Sequence, residues 1–401
     1  MATGFLIPDS EMSKEDLRAL REEIARNLLD MAARETGRPR SEFVVRDAFP
    51  KTDFGFDGCE WQNQSAISAA DTWTKDWSIE LPKQKFVAFY GVIYHNQKTS
   101  PGAGVAEGYP IYGLSYKLGA TGATTREQVH LQQAFREFIL AGGSVKYPVA
   151  YHKPVYYKGA ETIYVALNAN TSVSALDENL ELLSMVCEPY GEVVSGPNPL
   201  MPEQTSLITP EEDMTVAEIK ALREEVKRNL VALAAKETGK AASEFVVRDI
   251  FPKDDFGFNG VEWQNQSAIT AADTWTMDWS KELPKTKFVA FYGVNYPVGD
   301  ATPAAWKYMG VSYRLGANGA TTLKQVHLQK CQRYGATKGA TAADVEAQIK
   351  SARGYHRPVY YKGTDTIYVS LIANATVTKY YEKLQLLGLL AEPYGAVISG
   401  E

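Results

Sequence analysis

Two stretches decide the fold: SEFVVRDAFPKTDFGFDGCEWQNQSAISAADTWTKDWSIELPKQKFVAFYGV at residues 41–92, and SEFVVRDIFPKDDFGFNGVEWQNQSAITAADTWTMDWSKELPKTKFVAFYGV at residues 243–294. Few positions differ, so one unit of about two hundred residues is written twice in tandem. The match extends outward. After Val92 and Val294 the offset of 202 falls to 197, which sets YGLSYKLGATGATTREQVHLQ on MGVSYRLGANGATTLKQVHLQ. It then becomes 204 for YHKPVYYKGAETIYVAL and YHRPVYYKGTDTIYVSL. Two loops, near residues 95–110 and 136–150, absorb these changes. Leu6 and Ile7 match Leu207 and Ile208, so the repeats are expected at 6–196 and 207–400, joined by the Pro-rich connector 197–206.

The bulk properties agree with two domains. A chain of 401 residues exceeds the roughly 250–300 that one hydrophobic core fills. With 45% apolar and 22% charged residues it has the composition of a folded globular protein rather than a disordered one. A net charge of -6 argues against binding nucleic acid through its phosphates. No run of eighteen apolar residues offers a membrane span. The opening MATGFLIPDSEMS has neither a basic nor an apolar signal region, so the expectation is synthesis in the cytosol.

Within each repeat the hydrophobic period changes once. Leu17, Leu20, Ile24, Leu28 and Met31 recur at helical steps after a Ser13 N-cap, as do Ile219, Leu222, Val226, Leu230 and Leu233 after Thr215. The Gly of each ETG closes the helix. Beyond it come short runs rich in Val, Tyr, Phe, Thr and Trp, split by Gly and Pro. The expected fold is mainly β with helices: two tandem jelly-roll-like antiparallel β-sandwiches of seven or eight strands, each preceded by an amphipathic helix. The segment TTREQVHLQ reads equally as a strand or, from its Thr125-to-Gln128 capping pattern, as a helical turn. The Pro-Tyr-Gly near each repeat's end predicts a turn with its Gly at positive φ.

Three groups of residues could carry chemistry. The first is histidine: His130 and His327 are equivalent, as are His152 and His356, but no second ligand lies at metal-binding spacing. A catalytic role would require His130 and His152 to meet near Asp53 or Glu60. The second is the acidic loop of Asp53, Asp57 and Glu60, answered by Asp255, Asn259 and Glu262; its oxygens suit calcium, though its spacing fits no calcium template. The third is aromatic. Trp73 and Trp77, four apart, would share one face of a strand, with Trp61 and the amides Gln62, Asn63 and Gln64 just upstream; Trp263, Trp275 and Trp279 repeat the set. Such tryptophans either form a sugar-stacking platform or pack the core. Cys59, Cys187 and Cys331 each face a different residue in the other repeat, so no shared disulfide or metal site is expected. No nucleophile elbow, phosphate loop or dinucleotide fingerprint is present, and no cofactor is expected.

YKLGATGATTREQVHLQ, PVYYKGAETIYVAL and ELLSMVCEPYGEVVSG together resemble the β-sandwich portion of tailed-phage virion proteins of the coat-associated and decoration type. The resemblance implies a virion component, assembled in the host cytoplasm; it brings no site residues with it. The leading expectation is therefore a non-catalytic structural protein of capsid or tail that associates with itself and with other structural proteins. A duplicated sandwich can close as a trimer of six nearly equivalent units or as a dimer. The alternatives are a tandem glycan-binding module and, third, a hydrolase.

Overall fold

Each repeat begins as its capping residues dictate. Ser13 Oγ accepts the Asp16 N–H at 3.1 Å while the Asp16 carboxylate accepts the Ser13 N–H, and Thr215 with Glu218 builds the same reciprocal box. These boxes start α1 (Lys14–Thr36) and α2 (Val216–Thr238), which end on Gly37 and Gly239 at φ +72° and +71°. The computed structural model describes residues 6–97, 110–131, 144–146, 149–189, 205–296, 307–331, 334–336 and 352–394. The connector before residue 205, most of both length-variable loops and the glycines of the Pro-Tyr-Gly turns lie outside the described residues.

Contacts divide the chain into two units. The first runs to Pro189 and takes in a short excursion of the second repeat, where Tyr334–Ala336 pairs antiparallel with Ser144–Lys146. Its other strands are β1 (Ile7–Pro8), β2 (Phe43–Asp47), β3 (Thr74–Glu80), β4 (Phe86–Gln97), β5 (Ile111–Leu118), β6 (Thr124–His130), β7 (Val149–Tyr157), β8 (Thr162–Ala169) and β9 (Glu178–Pro189). The segment with two readings is thus strand β6. Pairing is antiparallel throughout, β2 with β9, β3 with β8, β4 with β7 and β5 with β6, so the chain is one long hairpin folded over on itself. This gives sheets ordered β1-β7-β4-β9-β2 and β3-β8-β5-β6, the two layers of a jelly roll.

The second unit repeats the plan. Its strands are β10 (Ile208–Pro210), β11 (Phe245–Asp249), β12 (Thr276–Glu282), β13 (Phe288–Tyr296), β14 (Tyr308–Leu315), β15 (Thr321–His327), β16 (Ala352–Tyr361), β17 (Thr366–Ala373) and β18 (Gln385–Pro393). They form sheets β10-β16-β13-β18-β11 and β12-β17-β14-β15.

The core lies between the layers. In the first unit Phe54, Phe56, Trp61, Trp77 and Phe89 pack ring on ring, with Phe54 and Trp77 centroids 5.2 Å apart; Phe256 and Trp279 are 4.9 Å apart in the second. Each helix packs on the outer face of its own larger sheet. Val226, Leu230 and Leu233, for example, meet Phe245, Phe288 and Ala391. In α1 the buried stripe is Leu17, Ile24 and Leu28, widened on one side by Arg21, Ala25 and Leu29; Leu20 and Met31 sit at its margin.

Candidate functional site

The FPK[TD]DFGF segment acts as an end plug for each sandwich. Pro50 opens a single helical turn, Pro50–Phe54, and Gly55 at φ +70° stops it, which turns Asp53 inward with Phe54 and Phe56. The Asp53 carboxylate then receives both Arg46 guanidinium nitrogens at 2.7 Å, Lys85 Nζ at 2.9 Å and the Phe49 N–H at 2.7 Å. Arg46 also donates to Glu188 at 2.7 Å. Burial pushes the Asp53 carboxyl upward, but the charges of Arg46 and Lys85 overcome it and hold the group well below the usual carboxylate range. Asp255 is gripped likewise by Arg248 and Lys287, in a more open setting.

Asp53 is therefore the anion of an internal ion cluster. Asp57 is exposed, and Glu60 accepts from Gln62 Nε2, so the three acids do not converge as a calcium loop would require. Among the described residues no group of three or more His, Cys, Asp or Glu is placed to hold a metal. The histidines do not assemble with Asp53 either. His152 is buried, donating from Nδ1 to the Lys153 carbonyl at 2.8 Å and accepting the Tyr116 hydroxyl at Nε2, 3.2 Å; burial lowers its pKa to about 4. His356 repeats this with Arg357 and Tyr313. His130 is exposed on β6, beside Tyr112. The three cysteines are buried and unbridged.

The tryptophan expectation needs correction. Trp61, Trp77 and Trp279 are buried in the cores, so these three cannot stack on a ligand, and Trp263 is half-buried against its core. For Trp77 the cause is a β-bulge: Lys75 pairs with Ala166 and Trp77 with Val165, leaving Asp76 as an extra residue. The bulge reverses the alternation, so Asp76 and Trp77 both turn inward while Trp73 stays outside, 37% exposed. Met277 and Trp279 repeat the step around Asp278. Trp73 lies against Gly113, where a Cβ would come within 2.7 Å of its ring, beside Asn168; Trp275 is half-buried.

The amides beside Trp61 are internal braces. Asn63 makes four hydrogen bonds, donating to the Ser65 and Ser174 carbonyls and accepting from the Asp177 and Glu178 N–H groups. Asp76 accepts the N–H groups of Gln64 and Ser65 at 2.7 and 3.0 Å. Burial, opposed by those two N–H groups, pushes the Asp76 carboxyl up to about 7, and Asp278 likewise. Each faces a cavity of about 10 Å³, enough for one water molecule.

The repeats differ most where their sequences agree. FVVRD at Phe43–Asp47 is buried at every position, whereas FVVRD at Phe245–Asp249 is buried only at its Phe. The difference spreads to neighbours. Phe49 is 2% exposed and Phe251 60%; Cys59 is 1% exposed and its counterpart Val261 75%. Arg21 and Asp47 pair out of solvent, while the equivalent Arg223 and Asp249 pair in the open at 2.7 Å. The opposite asymmetry appears on the smaller sheet. Gln128 and His130 of β6 are exposed, but Gln325 and His327 of β15 are buried. Sequence reading missed both faces, because identical residues give no signal of different cover.

No protein-family model and no curated protein matches the chain. Among solved structures it is similar to the tandem CBM51 modules of Sp3GH98, the family 98 glycoside hydrolase from Streptococcus pneumoniae, at 10% identity over 87% of this chain and 93% of that one, TM-score 0.20. It is also similar to N-glycanase F, at 9% identity over 88% and 96%, TM-score 0.18. A third likeness is to infectious bursal disease virus Gx strain, at 10% identity over 88% and 72%, TM-score 0.20. Among the described residues no helix is long and apolar enough to cross a membrane.

Proposed function

We propose that this chain is a non-catalytic structural subunit that assembles with itself, as a component of a virion capsid or tail. The observation carrying this reading is the strand β11 (Phe245–Asp249), which ends its sheet with only its Phe buried. An edge strand followed two residues on by exposed Phe251 is a template for pairing, and chains that stay monomeric blunt such edges. Here the neighbouring charges, Arg223 and Asp249, already neutralise each other and do not guard the edge. The internal use of Asp53, Asn63 and His152 is consistent with a structural role.

Light scattering with negative-stain imaging tests this. The expected result is a mass above the 44.3 kDa chain that rises with concentration, with regular particles or rings. A monomer at every concentration refutes it. The second reading, a glycan-binding module, rests on exposed Trp73 beside Asn168. Under that reading Trp73→Ala abolishes binding to a glycan array while leaving the solution mass unchanged.

A further inference from the structure

Trp73 precedes β3, and its indole rests on the outer face of the first repeat's smaller sheet. The pairing register shows what surrounds it. Gly113 of β5 lies between Asn168 of β8 and His130 of β6. Their neighbours Leu114, Leu167 and Val129 point into the core, so by strand alternation Gly113, Asn168 and His130 face outward together. A Cβ at Gly113 would meet Trp73 Cη2 at 2.7 Å and Asn168 Cβ at 2.9 Å, so a residue with no side chain is what seats the indole beside the amide. A register shift between Ile111 and Gly113 sets Tyr112 out of the ladder, and its ring centre lies 6.2 Å from that of His130. Trp73 keeps 37% of its surface in solvent, and His130 is exposed. Lys75 and Lys117 stand over the Tyr164 ring at 5.6 and 5.9 Å, which leaves the row of Asn168, Gly113 and His130 without a lysine or a carboxylate.

We infer that this row is a subsite for a single uncharged sugar ring, present in the first repeat and dismantled in the second. The inference rests on the glycan-binding reading above and adds the ligand class, the polar partners and the number of sites per chain. A pyranose has an apolar C–H face that stacks on the Trp73 indole and a rim of hydroxyls. The Asn168 amide offers those hydroxyls both donors and an acceptor, and His130 offers a ring nitrogen from the other side of Gly113. The second repeat supplies the comparison. It keeps the tryptophan, as half-buried Trp275, and the glycine, as Gly310. In place of Asn168 and Tyr112 it has Ile372 and Met309, both 2% exposed, and its equivalent of His130, His327, is buried to the same degree. Bracing the sheet accounts for the tryptophan and glycine that the repeats share. It does not account for an amide, a phenol and an exposed imidazole gathered around them in one repeat alone.

The test is saturation-transfer NMR on the full chain with the methyl glycosides of glucose, galactose, mannose and N-acetylglucosamine, beside a glycan array. At least one methyl glycoside should receive saturation, strongest at the C–H protons of one ring face. Trp73→Ala should remove the transfer, and Trp275→Ala should leave it unchanged. Asn168→Ile installs the residue that the second repeat carries at that place and should weaken binding about tenfold, the loss of one or two hydrogen bonds. Far-UV circular dichroism checks each fold; should Trp73→Ala disturb it, Asn168→Ile decides alone. Transfer that survives Trp73→Ala, disappears in Trp275→Ala or keeps full strength in Asn168→Ile overturns this site while glycan binding stands. Array binding without transfer from any single ring does the same. A chain that takes up no methyl glycoside and no arrayed glycan overturns both the site and the glycan reading.

Discussion

Asp76→Asn and Asp278→Asn should each stabilise the protein at neutral to basic pH and change little in mild acid. Both carboxyls are buried and accept two backbone N–H groups through Oδ1. The cavity beside Asp76 is lined by Phe56, Trp61, Trp77, leucines, Val165 and two amides, with no second charge. Beside Asp278 the tyrosine Tyr308 adds a phenol whose own pKa burial raises, so it is neutral. Folding therefore raises each Asp from 3.8 to about 7. Between these values the folded state holds a proton that the unfolded state has released, so stability falls as pH rises and levels off above about 7. At about 1.36 kcal/mol per pH unit the accumulated cost approaches ~4 kcal/mol for each site. Asparagine keeps the acceptor oxygen and never ionises. Urea unfolding of wild type and each single variant from pH 5 to 8 gives the difference in stability, which should shift toward the variant by about 1 kcal/mol per pH unit and then flatten. A difference independent of pH refutes the assignment. The difference is the right quantity because Asp53 acts in the opposite sense: its lowered pKa stabilises the fold above the unfolded value and is lost as pH falls.

Two further outcomes follow from asymmetry and from packing. Asp53→Asn leaves Arg46 buried with half its partners and should cost about 3–5 kcal/mol, whereas Asp255→Asn, beside a partly exposed Arg248, should cost about 1–2 kcal/mol; equal losses in urea unfolding refute the burial argument. Gly159→Ala places a Cβ 1.9 Å from the Lys83 carbonyl oxygen and should lower stability by about 3 kcal/mol, with Gly363→Ala doing the same at 2.2 Å from Lys285 O; an unchanged thermal midpoint contradicts the close approach.

The helices, their caps and the β-sandwich class were legible because each rests on local rules: Ser13 and Thr215 can cap, Gly37 and Gly239 can reverse, and short aromatic runs can pair. The tryptophans were not, because one extra residue at Asp76 reverses the inside-outside alternation that the reading assumed. The ion cluster was hidden for a related reason. Arg46 lies in an otherwise apolar strand, and only the turn at Pro50 brings Asp53 back to it. The unequal burial of the two strands could not be read at all, since FVVRD is the same word in both repeats.

The central claim, that the FVVRD strand of the second repeat is an assembly edge, is tested most directly by hydrogen exchange on the intact chain from nanomolar to high micromolar concentration. Peptides spanning Phe43–Asp47 and Phe245–Asp249 report on the buried and the more exposed copy within one sample. The first should be protected throughout, and the second should exchange rapidly when dilute and gain protection as concentration rises. Protection at Phe245–Asp249 that never changes with concentration, whether high or low, contradicts the account.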